Sequence, residues 1–304
     1  MAHIGDGESS LDDRHQRTLR LLDGRTLGWA EYGQGPALFV FHGLPGNRLA
    51  VQEMWNDEPR NVRVVAPDRP GFGLSSFQPG RTFVDWADDV RQLADALAID
   101  RFHVAGFSGG GPHALAVART LGPRVITASI ISGAGPLDER GSMRALLASN
   151  RMLFTAAKRA PLVLRVALAV ASRSFVNKPT VVMERAASSK SLPAADRRAM
   201  SDPRLRAINE YAGPESFRQG SRGVMHEVRM NVAPWPFDVT GIECPVLMWH
   251  GDADRNVPIA MARRLAQRIA HATLHEFRDE GHLIIPEHWE QIVDALLARG
   301  DSTS

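Results

Sequence analysis

The chain of 304 residues holds a single cysteine, Cys244, and that scarcity removes several classes of protein at once. No intramolecular disulfide can form, and there is no Cys-x-x-Cys redox or zinc motif. Cys244 sits in the apolar run ECPVLMW, where a buried, inert thiol is the expected reading. An excess of one charge sign is also missing: 36 basic residues stand against 34 acidic ones, for a formal net charge of +2. The basic residues read as spread along the sequence rather than massed in a block, so no nucleic-acid partner is expected. Lysine is rare, with only Lys158, Lys178 and Lys190, and this carries no function by itself. Long apolar runs are absent too. The most apolar window, APLVLRVALAVA (160–171), is too short to span a bilayer and contains Arg165, so no membrane insertion is expected. The first residues, MAHIGDGESSLDDRHQR, lack the apolar stretch of a secretion signal, and a cytoplasmic location is the expectation.

Metal and nucleotide motifs are equally thin. No histidine pair has HExxH spacing, and His282 and His288 lie six apart without a third ligand nearby in sequence. No GxGxxG opens a helix, and GFSGGGP lacks the Lys-Ser/Thr of a phosphate-binding loop. The expectation is chemistry without metal or cofactor, on a small-molecule substrate. Nothing in the pattern speaks to the oligomeric state.

What is present is an ordinary globular composition, 44% hydrophobic and 23% charged, long enough for a sizeable core. The runs RTLRLL (17–22) and TLGWAEYG (26–33) flank Asp23-Gly24 and predict a hairpin. PALFVFH (36–42) and VRVVAPD (62–68) are apolar on both faces, which suits buried parallel strands. An amphipathic helix (82–99), the strand 102–107, a helix to about 121 and the strand 125–132 follow. The fold class expected is α/β, with a mostly parallel central sheet and flanking helices. From about 135 to 234 only helical patterns occur, and then the alternation resumes with strands 244–251 and 272–277 and two helices. The reading is a core of residues 17–134 and 235–298 interrupted by a helical insertion, 135–234.

Within HVAGFSGGGPHALAVA (103–118), Ser108 stands among Gly106, Gly109, Gly110 and Gly111. Glycine weakens strands and helices, so four of them at a strand-to-helix junction need a reason. A nucleophile elbow supplies one: small residues two before and two after the serine let strand and helix approach closely and expose the hydroxyl. A serine needs a base, and the base needs a third group to hold its tautomer. Downstream, WHGDADRNVP places Asp252 and Asp254 beyond a strand end, and FRDEGHLIIP places His282 in the loop after the last strand. Sites of open α/β sheets gather at such strand ends.

With HGLPG (42–46), DRPGFGLSS (68–76), GFSGG (106–110), GDADRNVP (251–258) and GH (281–282) in that order, the chain resembles the α/β-hydrolase superfamily, in its branch with a helical cap. The resemblance spans about residues 17–298. It implies that Ser108 is the nucleophile, Asp254 the acid and His282 the base, with an oxyanion hole from the backbone N–H groups of Leu44 and Gly109. Asp252 and Asp138 are the rival acids. His42 is expected to brace the oxyanion loop, His113 and His250 to be packed or hydrogen-bonded, and Asp68 and Arg69 to fix a loop by pairing.

Serine at the elbow implies attack on a carbonyl through an acyl-enzyme. The expected activity is that of a serine esterase or lactonase on a neutral, hydrophobic substrate. A proline iminopeptidase-like aminopeptidase is the alternative, and it would need carboxylates on the cap to hold an ammonium. Glu184, Glu210, Glu215 and Glu227 are available, though each reads individually as part of a solvated helix face. A C–C bond hydrolase is a further alternative, and a hydrolase-like ligand receptor is one of another class. Met143, Met152, Phe154 and Met183 are expected either to line an apolar pocket or to pack the cap helices.

Overall fold

The apolar runs pair into one sheet. In the computed structural model, which describes residues 13–59, 61–139 and 141–299, eight strands take the order β1-β2-β4-β3-β5-β6-β7-β8. They are β1 (Arg17–Arg20), β2 (Thr26–Tyr32), β3 (Ala37–Phe41), β4 (Arg63–Pro67), β5 (Phe102–Phe107), β6 (Val125–Ile131), β7 (Val246–Gly251) and β8 (Ala272–Phe277). β1 and β2 form the expected hairpin, β2 runs antiparallel to β4, and every later pairing is parallel.

Because side chains alternate along a strand, each central strand fills two cores. Phe39, Phe41, Val104 and Met248 point into one, against α1 (Phe83–Ala96), α2 (Gly111–Leu121) and α9 (Ile259–Arg268). Leu38, Val40, Ala105, Leu247 and Trp249 point into the other, where α10 (Ile285–Ala298) lays Trp289, Ile292, Val293 and Leu296 against them. Each such side chain contributes about 1.5–3 kcal/mol on burial, which is why continuous apolar strands lie in the middle and the alternating ones at the edge.

Among the described residues six α-helices lie between β6 and β7: α3 (Ala148–Arg159), α4 (Pro161–Asn177), α5 (Pro179–Ala187), α6 (Ala194–Ser201), α7 (Pro203–Glu215) and α8 (Arg222–Val232). A third apolar cluster joins them to the core loops, with Ala157, Leu164, Phe217, Val224 and Val228 packing near Phe72, Leu137 and Met261. Among the described residues no helix is long and apolar enough to cross a membrane.

Candidate active site

β5 ends at Phe107, and the chain turns through a short 3-10 segment, Ser108–Gly110, before α2 begins at Gly111. Ser108 has φ 51°, a left-handed conformation that non-glycine residues rarely adopt. The turn closes only because two neighbours lack a side chain. A Cβ on Gly106 would collide with the Gly110 carbonyl, and one on Gly110 would collide with the Phe41 carbonyl oxygen. The glycines let the strand, the turn and β3 pack together with the hydroxyl pointing outward.

Three side chains from three strand ends meet there. His282 Nε2 lies 3.0 Å from Ser108 Oγ, and His282 Nδ1 lies 2.7 Å from Asp254 Oδ2. Asp254 is buried, and its Oδ1 accepts the backbone N–H groups of Asn256 at 2.8 Å and Val257 at 2.9 Å. His250 Nε2 donates mainly to the Val257 carbonyl at 2.7 Å and also faces Asp254 Oδ2 at 3.3 Å. Burial alone would raise the Asp254 pKa, but His282 and His250 outweigh it and hold the carboxyl well below the usual carboxylate range. Burial would likewise lower the His282 pKa, and the Asp254 carboxylate outweighs that and carries it above the ordinary imidazole value. The pair therefore favours Asp254 ionised and supports a proton on the imidazole.

The rival carboxylates stand apart. Asp252 is exposed and accepts the Asp279 backbone N–H at 2.8 Å, a turn-shaping contact. Asp138 is exposed too, and no hydrogen bond links it to His282.

Leu44 and Gly109 face each other beside Ser108: the Leu44 nitrogen lies 3.4 Å from where a Gly109 Cβ would stand. The loop that presents Leu44 is braced from below. The Arg69 backbone N–H donates to His42 Nε2 at 3.2 Å, which leaves Nδ1–H to donate to the Gly43 carbonyl at 2.8 Å. Burial, then Arg69, keep His42 well below the ordinary value, hence neutral. The Arg69 guanidinium also donates to the carbonyls of His42 and, at 2.9 Å, Gly43. Its remaining reach goes to Glu227 of α8, at 2.7 and 2.8 Å, and Arg81 donates to the same carboxylate. Glu227 is thus fully buried, which corrects its reading as a solvated helix face. Burial would raise its pKa, but Arg69, His113 and Arg81 outweigh that and hold it far below the carboxylate range. His113, on α2, is packed and donates from Nδ1 to the Gly109 carbonyl at 2.9 Å.

Ser108, His282, Leu44 and Gly109 open into a cavity of about 350 Å³. Its walls are apolar side chains of the core and the insertion, with Phe154, Leu168, Phe175, Phe217 and Val228 among them. The polar side chains lining it are Ser108, His282 and three asparagines, Asn150, Asn231 and Asn256. Among the described residues no carboxylate, arginine or lysine lines it. Glu184 and Glu210 are exposed, and Glu215 is ion-paired with Arg48 at 2.7 Å. Of the four apolar residues singled out, Phe154 lines this cavity, and Met183 lines a smaller neighbouring one of about 180 Å³. Met143 packs against the third cluster, and Met152 points into solvent. The neighbouring cavity shares Pro45, Phe175 and Phe217 with the first and contains Glu53, which burial pushes up to about 7 against a hydrogen bond from Asn209. The basic residues between Arg144 and Lys178 are exposed and lie outside the lining of this cavity.

One residue with a direct hold on His282 is missing from the sequence reading. Asp196, on α6, is buried against the His282 loop and accepts its backbone N–H. A lone aspartate in LPAADRRAM gives no local signal of this, because its partner is 86 positions away.

A parallel sheet carrying a serine, a histidine and a carboxylate at its strand ends defines an α/β hydrolase. The alpha/beta hydrolase fold family matches residues 36–288, and the chain belongs to that family. It is similar to a 2-hydroxymuconate semialdehyde hydrolase of Pseudomonas putida, 26% identical over 289 residues that cover 90% of each chain. Among solved structures it resembles an esterase from Exiguobacterium antarcticum, with TM-score 0.61, 17% identity and coverage of 93% of this chain and 98% of that one. It also resembles the enol-lactonase from Burkholderia xenovorans LB400, with TM-score 0.61, 20% identity and coverage of 91% and 97%.

Proposed function

We propose that this hydrolase works through Ser108 and cleaves neutral, hydrophobic esters or lactones. The observation that carries the reading is the hydrogen-bonded line Ser108–His282–Asp254 opening into a cavity without a charged wall. His282 takes the Ser108 proton as Oγ attacks the carbonyl carbon. Asp254 holds Nδ1–H, which fixes the tautomer and stabilises the imidazolium that forms. The backbone N–H groups of Leu44 and Gly109 receive the developing oxyanion, a contribution of the order of 3–4 kcal/mol per donor in related chemistry. His282 then returns the proton to the leaving alcohol oxygen. Water, activated by the same imidazole, releases the acid from Ser108.

The helices between β6 and β7 act in this reading as a cap. Their asparagines and apolar side chains favour an uncharged group, because an anion has no arginine fork to meet it and an ammonium no carboxylate. This weighs against the aminopeptidase alternative. Proximity to an esterase and a lactonase fold supports the reading only as likeness of scaffold.

The test is a fluorophosphonate probe followed by peptide mapping, beside turnover of short p-nitrophenyl esters, lactones and prolyl or alanyl arylamides. Label on Ser108, and a loss of about three orders of magnitude or more in Ser108→Ala with the fold intact, are expected because such residues act as a unit. Undiminished turnover in Ser108→Ala, or an arylamide with a free amine as best substrate by kcat/KM, would replace this reading.

A further inference from the structure

Helix α4 contains the most apolar window of the chain, and the catalytic reading uses only one side of it. At 3.6 residues per turn, Leu164, Leu168, Ala171 and Phe175 share a face. Three of these line the Ser108 cavity, and Leu164 is buried in the third apolar cluster. The opposite face presents Leu162, Val163, Val166 and Val170 with 76%, 68%, 66% and 58% of their surface exposed. Seven of the nine large apolar side chains exposed among the described residues fall between Met152 and Val181. Scattered exposed apolar residues are ordinary, but a concentration on one helix and its neighbours marks an interaction surface. A helix apolar on all sides belongs inside a protein or against lipid.

Along this stretch of the sequence the charge has one sign, with Glu184 of α5 and Glu210, which accepts from Thr180 at 3.1 Å, standing at its edge. From Arg144 to Met183 the chain carries seven basic residues and no acidic one. Arg165 and Arg173 stand on α4 itself, and Lys158, Arg159 and Lys178 at its two ends. All seven are exposed, and among the described residues none is engaged in an ion pair. With a formal net charge of only +2 for the whole chain, the remainder of the molecule is net negative, so the polarity is local.

We propose that the outer face of α4, with the adjoining parts of α3 and α5, docks the protein on an anionic lipid surface. Leu162, Val163, Val166 and Val170 enter the interface between headgroups and acyl chains, and the arginines and lysines meet the lipid phosphates. The helix lies on the surface rather than crossing it. A second copy of the chain fits this face less well, because a two-fold contact would set the same positive charges against each other. The docking places lipid on one side of α4 and the Ser108 cavity on the other. It does not depend on the serine chemistry, so it stands or falls separately from the proposed reaction.

The experiment is co-sedimentation of the full chain with vesicles of phosphatidylcholine alone and of equimolar phosphatidylcholine and phosphatidylglycerol. Strong binding to the mixed vesicles, weak binding to the neutral ones and release by salt are expected. Replacing Leu162, Val166 and Val170 together by glutamine should weaken binding at least about tenfold, since apolar burial is lost. Arg165→Gln with Arg173→Gln should weaken it by about fivefold per charge. Both variants should keep full turnover of a water-soluble ester such as p-nitrophenyl acetate, which reports that the fold is intact. Absence of binding to mixed vesicles by active protein overturns the proposal. A dimer seen by light scattering that the triple variant dissociates overturns it in favour of self-association.

Discussion

Asp196 Oδ1 accepts the backbone N–H of His282 at 2.6 Å and that of Leu283 at 2.9 Å, so one oxygen on α6 holds the turn that carries the imidazole. The other oxygen, Oδ2, is buried without a hydrogen-bond partner among the described residues. Burial raises the Asp196 pKa, and the two N–H groups work against that. Gly281 completes the arrangement, because a Cβ there would collide with the Asp196 carboxylate. The position of the candidate base is thus set jointly by the turn after β8 and by α6.

Removing that oxygen tests the coupling. Asp196→Ala leaves two buried N–H groups without an acceptor, at about 1–3 kcal/mol, and frees the turn to drift. A displacement of even 1 Å costs on the order of a hundredfold in rate, so kcat should fall by tenfold or more with little change in KM. Asp196→Asn keeps an acceptor oxygen and should recover most of the loss. A KM effect without a kcat effect would assign Asp196 to the cavity rather than to the base.

Acid and activity should run in opposite senses at the Asp254–His282 pair. The raised His282 pKa means that the pair's stabilisation is complete below the unfolded imidazole value and fades as pH rises through the folded one. The lowered Asp254 pKa means that its stabilisation is present above the ordinary carboxylate value and is lost only in strong acid. Catalysis needs the neutral imidazole, so kcat/KM should rise with pH through a value above the ordinary imidazole pKa of about 6.5. Asp254→Asn should cut turnover by up to about ten-thousandfold and move this limb to lower pH, because the carboxylate that raises it is gone. Asp252→Asn should do neither, and the reverse ranking would reassign the acid.

Among the described residues Glu227 is the only carboxylate that Arg69 and Arg81 share. Glu227→Gln leaves two buried guanidinium groups with a neutral partner, a change that costs about 3–5 kcal/mol when a buried pair is broken. Arg69 also holds the carbonyls of His42 and Gly43, so loss of stability should come with lower kcat at the proposed oxyanion hole. Chemical denaturation and steady-state kinetics on the same sample measure both. Unchanged stability would mean that the arginines find other partners.

Most of the scaffold was legible because its signals are local. Continuous apolar runs at 37–41 and 102–107 become central strands, and the glycines around Ser108 mark a turn where strand and helix nearly touch. The strand pattern places Asp252, Asp254 and His282 beyond the ends of β7 and β8, and the choice of Asp254 and His282 comes from the resemblance to the α/β-hydrolase motifs. What escaped depends on contacts from the helices between β6 and β7 to the loops at the strand ends. Asp196 reaches its partner across 86 positions, and Glu227 reaches Arg69 across 158. Neither leaves a periodic trace. The two faces of α4 escaped for another reason: both are apolar, so hydrophobicity alone does not tell the cavity side from the exposed side.

The neutral wall of the Ser108 cavity offers the sharpest test of substrate class. Asn150 lines it and makes only long contacts, 3.3 and 3.5 Å, to Asn256. Asn150→Asp adds a negative charge and gives up these two long donations to Asn256 oxygens. A carboxylate at a half-buried wall acts through an effective dielectric well below that of water, so about 1 kcal/mol, or roughly fivefold, separates substrates of opposite charge. Relative to the parent, kcat/KM should fall for an ester bearing a carboxylate, rise by a similar factor for one bearing an amine, and change little for a neutral ester. The measurement is competition among the three esters, with a common acyl group so that the chemistry at Ser108 is held constant. Equal response of all three would mean that the substrate does not reach this wall, and that its charge is read elsewhere, with Glu53 in the neighbouring cavity as the next group to vary.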